Sequence, residues 1–345
     1  MQSDSSKLEE IFSLISELDE ERRKIVSDYL VSLEKNIHER KEIDDKLIQS
    51  KSNSKIVCPK CRSIEVRKFG KRNNHQRYRC NSCNHVFTET STNALKATKL
   101  STFKWYEYAD LFNYRFTLRN IAKRLKVSIN TAFLMRHKIL NALQFFQFSY
   151  VLKDNVFADE LYFRRNNKDG SKITFRDFRK HGGDNIGVEI KRLNTIIVLM
   201  IFDNNYHLVL QRLKSGTNKT PQMDKQFRKR IKNGATLYTD GYRHYKSVAD
   251  LFDGLNIANK AIKGQYTKEL DHINNVSSYV QAFFSRFNGV ATKYLQRYLN
   301  WCCFTYYYEH QKEDYKELIV KLLMILINSK SHITRKNIGK KKYIK

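Results

Sequence analysis

The stretch Val156-Phe-Ala-Asp-Glu-Leu-Tyr-Phe163 has the apolar and aromatic composition of a buried strand, with Asp159 inside it. A carboxylate in such a strand is costly unless it is paired or bound to a cation. A second apolar run, Ala235-Thr-Leu-Tyr-Thr-Asp240-Gly241, delivers another aspartate at its end. Two aspartates at neighbouring strand positions can bind Mg²⁺ together through hard oxygen ligands. Taken singly, each aspartate is explained as well by an ordinary cap of a strand end or turn, and Glu160 is expected on the opposite sheet face.

The pattern around these two runs indicates an α/β core over residues 151–310. Apolar strands are predicted at about residues 156–163, 194–202, 207–213 and 235–239, with helices near 221–231, 242–252, 275–286 and 292–309. Three strands followed by alternating helices and strands favour a mixed sheet. Residues 311–345 are predicted to form a C-terminal helix and a basic tail.

Two CxxC pairs predict a zinc ribbon over residues 51–97. The pairs, Cys58 with Cys61 and Cys80 with Cys83, are separated by 18 residues, which lies within the spacing of a tetrahedral structural Zn²⁺ site. The segment between them is strongly basic, and cations on a rigid hairpin suggest contact with phosphates. An ordinary solvated face is the alternative. The basic residues of this segment are Arg67, Lys68, Lys71, Arg72, Arg77 and Arg79, with Tyr78 among them.

Residues 98–150 carry the signals of a helix-turn-helix DNA-binding domain. Thr117 and Ser128 are predicted to cap two successive helices, with a turn at residues 126–127. The second helix would face a major groove, although many helix pairs in bundles share this pattern. The groove-facing candidates are Asn130, Thr131, Arg136 and His137.

Charge divides the chain into two unequal parts. The 345 residues include 64 Lys and Arg against 35 Asp and Glu, a formal net charge of +29. This excess implies a polyanionic partner, and nucleic acid is the leading candidate. Residues 1–50 have a negative net charge instead, with 13 acidic and 8 basic residues, and are predicted to form a helical segment and linker. Their apolar spacing, broken near Asp19, fits either a capping hairpin or a pair of dimerising helices.

Composition also excludes several classes of protein. No apolar run approaches the ~18–20 residues of a membrane span. The first ten residues are polar and acidic, which is unlike a signal sequence. Four of the six cysteines form the metal pattern, as expected in a reducing compartment rather than in a disulfide scaffold. These features predict a cytoplasmic, nucleoid-associated protein.

Together, the order of these segments and several of their sequence motifs resemble those of the zinc-ribbon DDE transposases of insertion sequences (ISXO-like, related to the Merlin superfamily). The resemblance covers roughly residues 55–305 and rests on the two CxxC pairs and on the stretches at residues 76–80, 135–140, 158–160, 179–183, 238–241 and 286–295. It implies an RNase H-like fold, Mg²⁺ dependence, and cleavage and joining at inverted-repeat ends. It also implies that a basic arm containing Arg179 and Lys180 reaches toward DNA, and that at least a homodimer forms at synapsis.

The resemblance is incomplete at the third catalytic position. In that family Asp159 and Asp240 match the first two metal-binding carboxylates, and the third ligand, Glu or Asn, follows a histidine on a helix. Here His272 is followed by Ser277 at the matching position, and a neutral hydroxyl is a much weaker ligand than a carboxylate. Asn274 lies three residues before Ser277, which predicts the same helix face and makes it a candidate substitute ligand.

Two main hypotheses therefore stand side by side. The first is an active insertion-sequence transposase that binds inverted-repeat ends and target DNA as double strands. The second is a catalytically inactive, domesticated DNA-binding protein or repressor, which Ser277 favours. A zinc-ribbon RNA-binding protein would explain the charge but not the two strand aspartates.

Overall fold

The computed structural model describes residues 2–31, 56–88, 91–166, 195–213, 220–239, 244–258, 268–329 and 333–338, apart from single residues or pairs within these ranges. Most of the predicted linker and basic tail lie outside the described residues. So do three of the predicted site residues, Asp240, Arg179 and Lys180.

The cysteine-rich segment folds as a small antiparallel sheet. Its strands, in sequence order, are β1 (Val66–Arg72), β2 (His75–Cys80) and β3 (Val86–Thr88). Among the described residues of this unit, the buried core consists of Cys58, Tyr78, Cys80 and Phe87. So small an apolar core supplies little stability, and a bound metal is the usual compensation in modules of this size.

A five-stranded mixed sheet forms the centre of the α/β core. Its strands are β4 (Asn155–Arg164), β5 (Thr195–Asp203), β6 (Leu208–Arg212), β7 (Thr236–Thr239) and β8 (Leu255–Ala258). Their order is β6-β5-β4-β7-β8; the first three are antiparallel, whereas β7 and β8 run parallel to β4. This order and mixture of directions are RNase H-like, which confirms the predicted fold class. The sequence did not predict β8, whose four residues are too few for a readable period.

The central strand β4 is buried on both faces. Val156 and Ala158 point to one face, which is covered by α6 (Thr220–Arg230) and α7 (His244–Ala249). Phe157 and Leu161 point to the other face, which is covered by α8 (Lys268–Ser285) and α9 (Leu295–His310). Because side chains alternate along a strand, Asp159 belongs to the face of Phe157 and Leu161.

Three helices precede the core and include the predicted helix-turn-helix. They are α3 (Thr102–Asn113), α4 (Leu118–Arg124) and α5 (Ile129–Ala142). The hydroxyl of Thr117 accepts from the amide of Asn120, and that of Ser128 from the amide of Thr131, so both predicted caps are confirmed.

The helix-turn-helix shares its interior with the core. Phe112 of α3 stacks on Trp301 of α9 with ring centroids 3.8 Å apart. The last helix, α10 (Tyr315–Asn328), packs on α3 and α5. One hydrophobic cluster therefore crosses the predicted boundaries at residues 150 and 311.

The N-terminal helices expose their apolar residues. Helix α1 (Gln2–Ser16) is followed by α2 over residues 20–28, and the carboxylate of Asp19 accepts from the amide of Arg22 at 2.8 Å, where the break was predicted. Ile11, Phe12 and Ile25 are exposed. Whether these helices pair with a second copy stays a prediction. None of the described helices is long and apolar enough to span a membrane.

Candidate metal centre and nucleic-acid interface

Asp159 lies half-buried on β4, on the sheet face that α8 covers. Its Oδ1 accepts a hydrogen bond from the amide of Glu160 at 2.7 Å. The Glu160 side chain lies on the opposite face, where its Oε1 accepts from the hydroxyl of Tyr245 at 3.0 Å. The two adjacent carboxylates are thus separated by the sheet, as predicted, and only Asp159 faces α8.

Strand β7 leads directly to the second predicted ligand. Val156 pairs with Leu237 and Phe157 with Tyr238 in a parallel register. The strand ends at Thr239, one residue before Asp240, which lies outside the described residues.

The third predicted position lies in the buried stripe of α8. Ser277 is only 9% exposed, between the buried side chains of Val276 and Val280. Among the described residues its hydroxyl has no hydrogen-bond partner. Asn274, in contrast, is exposed. Three residues turn a helix by about 300°, so the two side chains lie about 60° apart around α8, with Ser277 inside the buried stripe and Asn274 just beyond its edge.

His272 packs against the sheet on the same face as Asp159. Its ring lies 4.8 Å from that of Phe157 and 5.1 Å from that of Phe202, measured between centroids. Burial lowers the pKa of His272, and His310 lowers it further. The imidazole is therefore neutral at neutral pH.

The four cysteines converge as the spacing predicts. All four Sγ atoms lie within 4.8 Å of one another, with 3.6 Å between those of Cys58 and Cys83 and 3.5 Å between those of Cys61 and Cys80. A tetrahedral Zn²⁺ with Zn–S bonds of about 2.3 Å requires sulfurs roughly 3.8 Å apart. The donor set and its dimensions therefore fit such an ion.

The two CxxC turns have the same backbone conformation. The amide of Cys58 donates to Ser63 O, and that of Cys80 donates to His85 O. The residue after each second cysteine, Arg62 or Asn84, has a positive φ of 63° or 55°. At Cys80, burial raises the pKa, but hydrogen bonds from the backbone of Cys83 and Ser82 and from the Cys61 side chain outweigh it and bring the pKa to about 6. This favours a thiolate at Cys80 in the metal-free cluster, whereas the pKa of its hydrogen-bond partner Cys61 is raised.

The basic residues of the ribbon lie on its surface. Arg67, Lys68, Lys71 and Arg72 are exposed, whereas Arg77 and Arg79 are half-buried against Phe69. The interleaved ring noted in the sequence, Tyr78, is buried in the ribbon core. Phe69 was missed, although its position beside Gly70 within a basic run could have indicated it.

The fully exposed side chains of α5 lie in its first turn. Asn130 is exposed, and Thr131 is half-buried with its hydroxyl bonded to that of Ser128.

The prediction that Arg136 and His137 face DNA is wrong. Arg136 is 6% exposed and donates to Phe116 O at 3.0 Å, and His137 is fully buried. The Nδ1 of His137 lies 3.0 Å from Nη1 of Arg297. Burial lowers the pKa of His137 well below its ordinary value, and Arg297 and Arg136 lower it further, so the ring is neutral and accepts this hydrogen bond. Helices α9 and α10 cover this part of α5, which local sequence could not reveal.

The stretch at residues 286–295, singled out in the sequence, braces the chain after β4. The amide of Thr292 donates to Asn166 O and its hydroxyl accepts from the amide of Asn166, both at 2.8 Å. The guanidinium of Arg212 donates to Thr292 O at 2.9 Å. This stretch therefore holds the place where the chain leaves β4 toward the predicted basic arm.

Comparison with known proteins agrees with this geometry. Residues 151–306 match the ISXO2-like transposase domain. With the RNase H-like sheet and the four-cysteine cluster, this match fits a zinc-ribbon DDE transposase and confirms the predicted resemblance. The matched residues contain Asp159, Ser277 and all five strands of the mixed sheet.

Solved structures of the Mos1 transposase are distant neighbours of the chain. The Mos1 strand transfer complex shares 12% identity over 67% of this chain and 77% of that chain, with a TM-score of 0.28. The Mos1 paired-end complex with the left transposon end shares 10% identity over 63% and 80%, with a TM-score of 0.21. No match was found among the curated proteins. Because these TM-scores are low, the assignment of the fold rests on the strand order of this chain and not on its superposition with the Mos1 structures.

Proposed function

We propose that the chain is a DNA transposase that binds the inverted-repeat ends of an insertion sequence and cleaves and joins strands with a divalent cation at Asp159 and Asp240. The parallel register of β4 and β7 carries this proposal. Phe157 pairs with Tyr238, and Asp159 and Asp240 each follow two residues later. The same register continued by two residues would set the two carboxylates side by side.

The donor chemistry of these aspartates suits Mg²⁺, which takes carboxylate oxygens as ligands. Such an ion, when bound, would activate a water or 3′-hydroxyl and stabilise the leaving oxygen. The chain itself holds Asp159 on the central strand of the sheet, where the amide of Glu160 donates to its carboxylate, so the carboxylate is oriented before DNA arrives. His272 packs against Phe157, two residues before Asp159 on the same sheet face. Its ring is neutral, so in this proposal it would orient a phosphate by a hydrogen bond rather than neutralise it.

The DNA-binding part of the proposal rests on the ribbon and on the first turn of α5. Zn²⁺ at the four cysteines would keep the basic ribbon rigid, and its cations would contact phosphates without reading bases. Asn130 is the exposed side chain best placed to reach a base edge. Pairing of two copies at synapsis, through residues 1–50, belongs to the same proposal, as does a nucleoid-associated, cytoplasmic location.

One observation favours a second function, DNA binding without cleavage. Ser277 replaces the third ligand with a neutral hydroxyl inside an apolar stripe, and the nearby exposed Asn274 lies off that stripe. A protein with this helix would keep DNA affinity and act as a repressor.

A cleavage assay on the element's inverted-repeat ends, with Mg²⁺ or Mn²⁺, separates the two functions. Nicking by the unaltered chain that is lost in Asp159→Asn and Asp240→Asn supports the transposase. Absence of nicking, together with recovery in Ser277→Glu, supports the repressor and contradicts the active enzyme. Binding of the same DNA without cleavage is measured in parallel, with Glu160→Gln as a matched carboxylate control on the opposite sheet face.

A further inference from the structure

The ribbon hairpin has two chemically different faces. Arg67 pairs with Arg79 across β1 and β2, and Lys68 pairs with Tyr78. Side chains two residues apart along a strand share a face, so Phe69 lies on the face of Arg67, and Arg77 lies on the face of Arg79. Because Arg67 and Arg79 are cross-strand partners, all four side chains lie on one face, whereas Tyr78 points into the ribbon core. One face therefore packs the small core, and the other carries three arginines around a single phenylalanine.

A bulge in β1 fixes the position of this phenylalanine. The register shifts between Lys68 and Lys71, and Gly70 within the bulge has a φ of 64°. A left-handed residue is easily accommodated only as glycine, and such bulges redirect side chains. Gln76 clamps the site, because its Nε2 donates to Gly70 O at 3.0 Å and to Arg77 O at 2.8 Å.

Phe69 organises two guanidinium groups. Those of Arg77 and Arg79 lie 5.3 Å and 5.4 Å from the centroid of its ring, within the range of a cation–π interaction. Phe69 remains 37% exposed. A large apolar ring left at the surface is retained here by the two cations that it contacts.

These two arginines have no carboxylate partner in the described part of the chain. Their Nε atoms have no hydrogen-bond acceptor among the described residues. The only acidic residue between 56 and 88 is Glu65, whose carboxylate lies within hydrogen-bond distance of the hydroxyl of Ser82 instead. The guanidinium groups are therefore held in place by a ring that does not neutralise them.

We propose that Phe69 is a positioning residue that presents Arg77 and Arg79 to two successive phosphates of one strand of duplex DNA. This inference rests on the proposed function and names the part of the ribbon that performs the DNA contact. Side chains at positions i and i+2 of a strand lie ~6.6 Å apart, which suits neighbouring phosphates along a DNA backbone. Pre-ordered guanidinium groups lose less conformational entropy on binding than free ones.

The test uses the full-length, zinc-loaded chain and a short fluorescent duplex of arbitrary sequence, titrated at several salt concentrations. Phe69→Leu keeps an apolar side chain but removes the ring, and is expected to weaken binding by about threefold to tenfold. Phe69→Trp keeps a ring and is expected to bind as tightly as the unaltered chain. The exposed Ile64, outside the hairpin strands, provides the matched control Ile64→Ala, with no expected change. Zinc content and circular dichroism are measured for each variant, so a loss of folding is detected separately.

The double variant Arg77→Gln, Arg79→Gln separates failure of this inference from failure of the proposed function. It is expected to reduce the slope of log affinity against log salt by about 2, since each phosphate contact contributes ~0.9. A lower slope in the arginine variant with unchanged affinity in Phe69→Leu would overturn the role of Phe69 and leave the ribbon's DNA contact intact. An unchanged slope in the arginine variant would overturn both the role of Phe69 and the DNA contact of Arg77 and Arg79. Equal weakening in Phe69→Leu and Phe69→Trp, or tighter binding of single-stranded DNA than of duplex, would also overturn the inference.

Discussion

Replacing Ser277 by glutamate should create a metal-dependent stability that the unaltered chain lacks. The Ser277 position is 9% exposed and lies in the apolar stripe of α8. A carboxylate placed there without a partner is an uncompensated buried charge, which typically costs ~3–5 kcal/mol. Because a small part of the site reaches solvent, we expect the lower end, about 3 kcal/mol off the free energy of unfolding without metal.

A divalent cation should restore most of this loss if α8 faces the site of Asp159. An ion at one hundred times its dissociation constant stabilises the native state by ~2.7 kcal/mol. Urea unfolding followed by circular dichroism, with and without Mg²⁺ or Mn²⁺, measures both effects. Ser277→Gln introduces a side chain of nearly the same volume as glutamate but without its charge. This variant should therefore lose stability through size alone and gain little from the ion.

The stabilisation that the divalent cation produces in each variant provides both the control and the outcome that would contradict this prediction. Adding Asp159→Asn to the Ser277→Glu chain should abolish the recovery, since it removes a ligand on the facing strand. Equal stabilisation by the ion in Ser277→Glu and Ser277→Gln would contradict the placement of Ser277 at a metal site.

Three further outcomes test other parts of the structure. Cys80→Ser should lose about one equivalent of zinc by metal analysis, whereas Ser82→Ala in the same CxxC turn should keep it. Retained zinc in Cys80→Ser would refute the zinc site. Trp301→Ala should lower the free energy of unfolding by ~3–5 kcal/mol and weaken the packing of α3 on α9, with one transition seen by circular dichroism; two separate transitions would contradict the shared interior. His137 has a lowered pKa in the folded state, so the unfolded chain binds more protons and stability falls as pH drops below about 6.5, by roughly 1.4 kcal/mol per pH unit. His137→Gln, which keeps an acceptor for Arg297, should flatten that dependence, and an unchanged slope would show that His137 is not its source.

Local sequence determined the features that depend on neighbours in the chain. The CxxC spacing predicted a convergence of four sulfurs that the structure shows within 4.8 Å. The hydroxyls of Thr117 and Ser128 predicted two helix starts, because a cap bonds to amides only three residues away. Strand alternation alone separated Asp159 from Glu160, since that geometry is fixed by the backbone.

Only the tertiary structure decided which polar residues reach solvent. Arg136 and His137 look like groove-facing residues of a second helix, but α9 and α10, more than 150 residues later, bury them. Asn274 and Ser277 are close in sequence, yet the edge of the sheet contact divides them into exposed and buried. The exposed ring of Phe69 depends on a bulge and on a cross-strand register that no single segment contains. Burial is a property of distant packing, so local sequence determined the four-cysteine cluster and the helix caps of this protein, and the fold decided which of its polar side chains reach solvent.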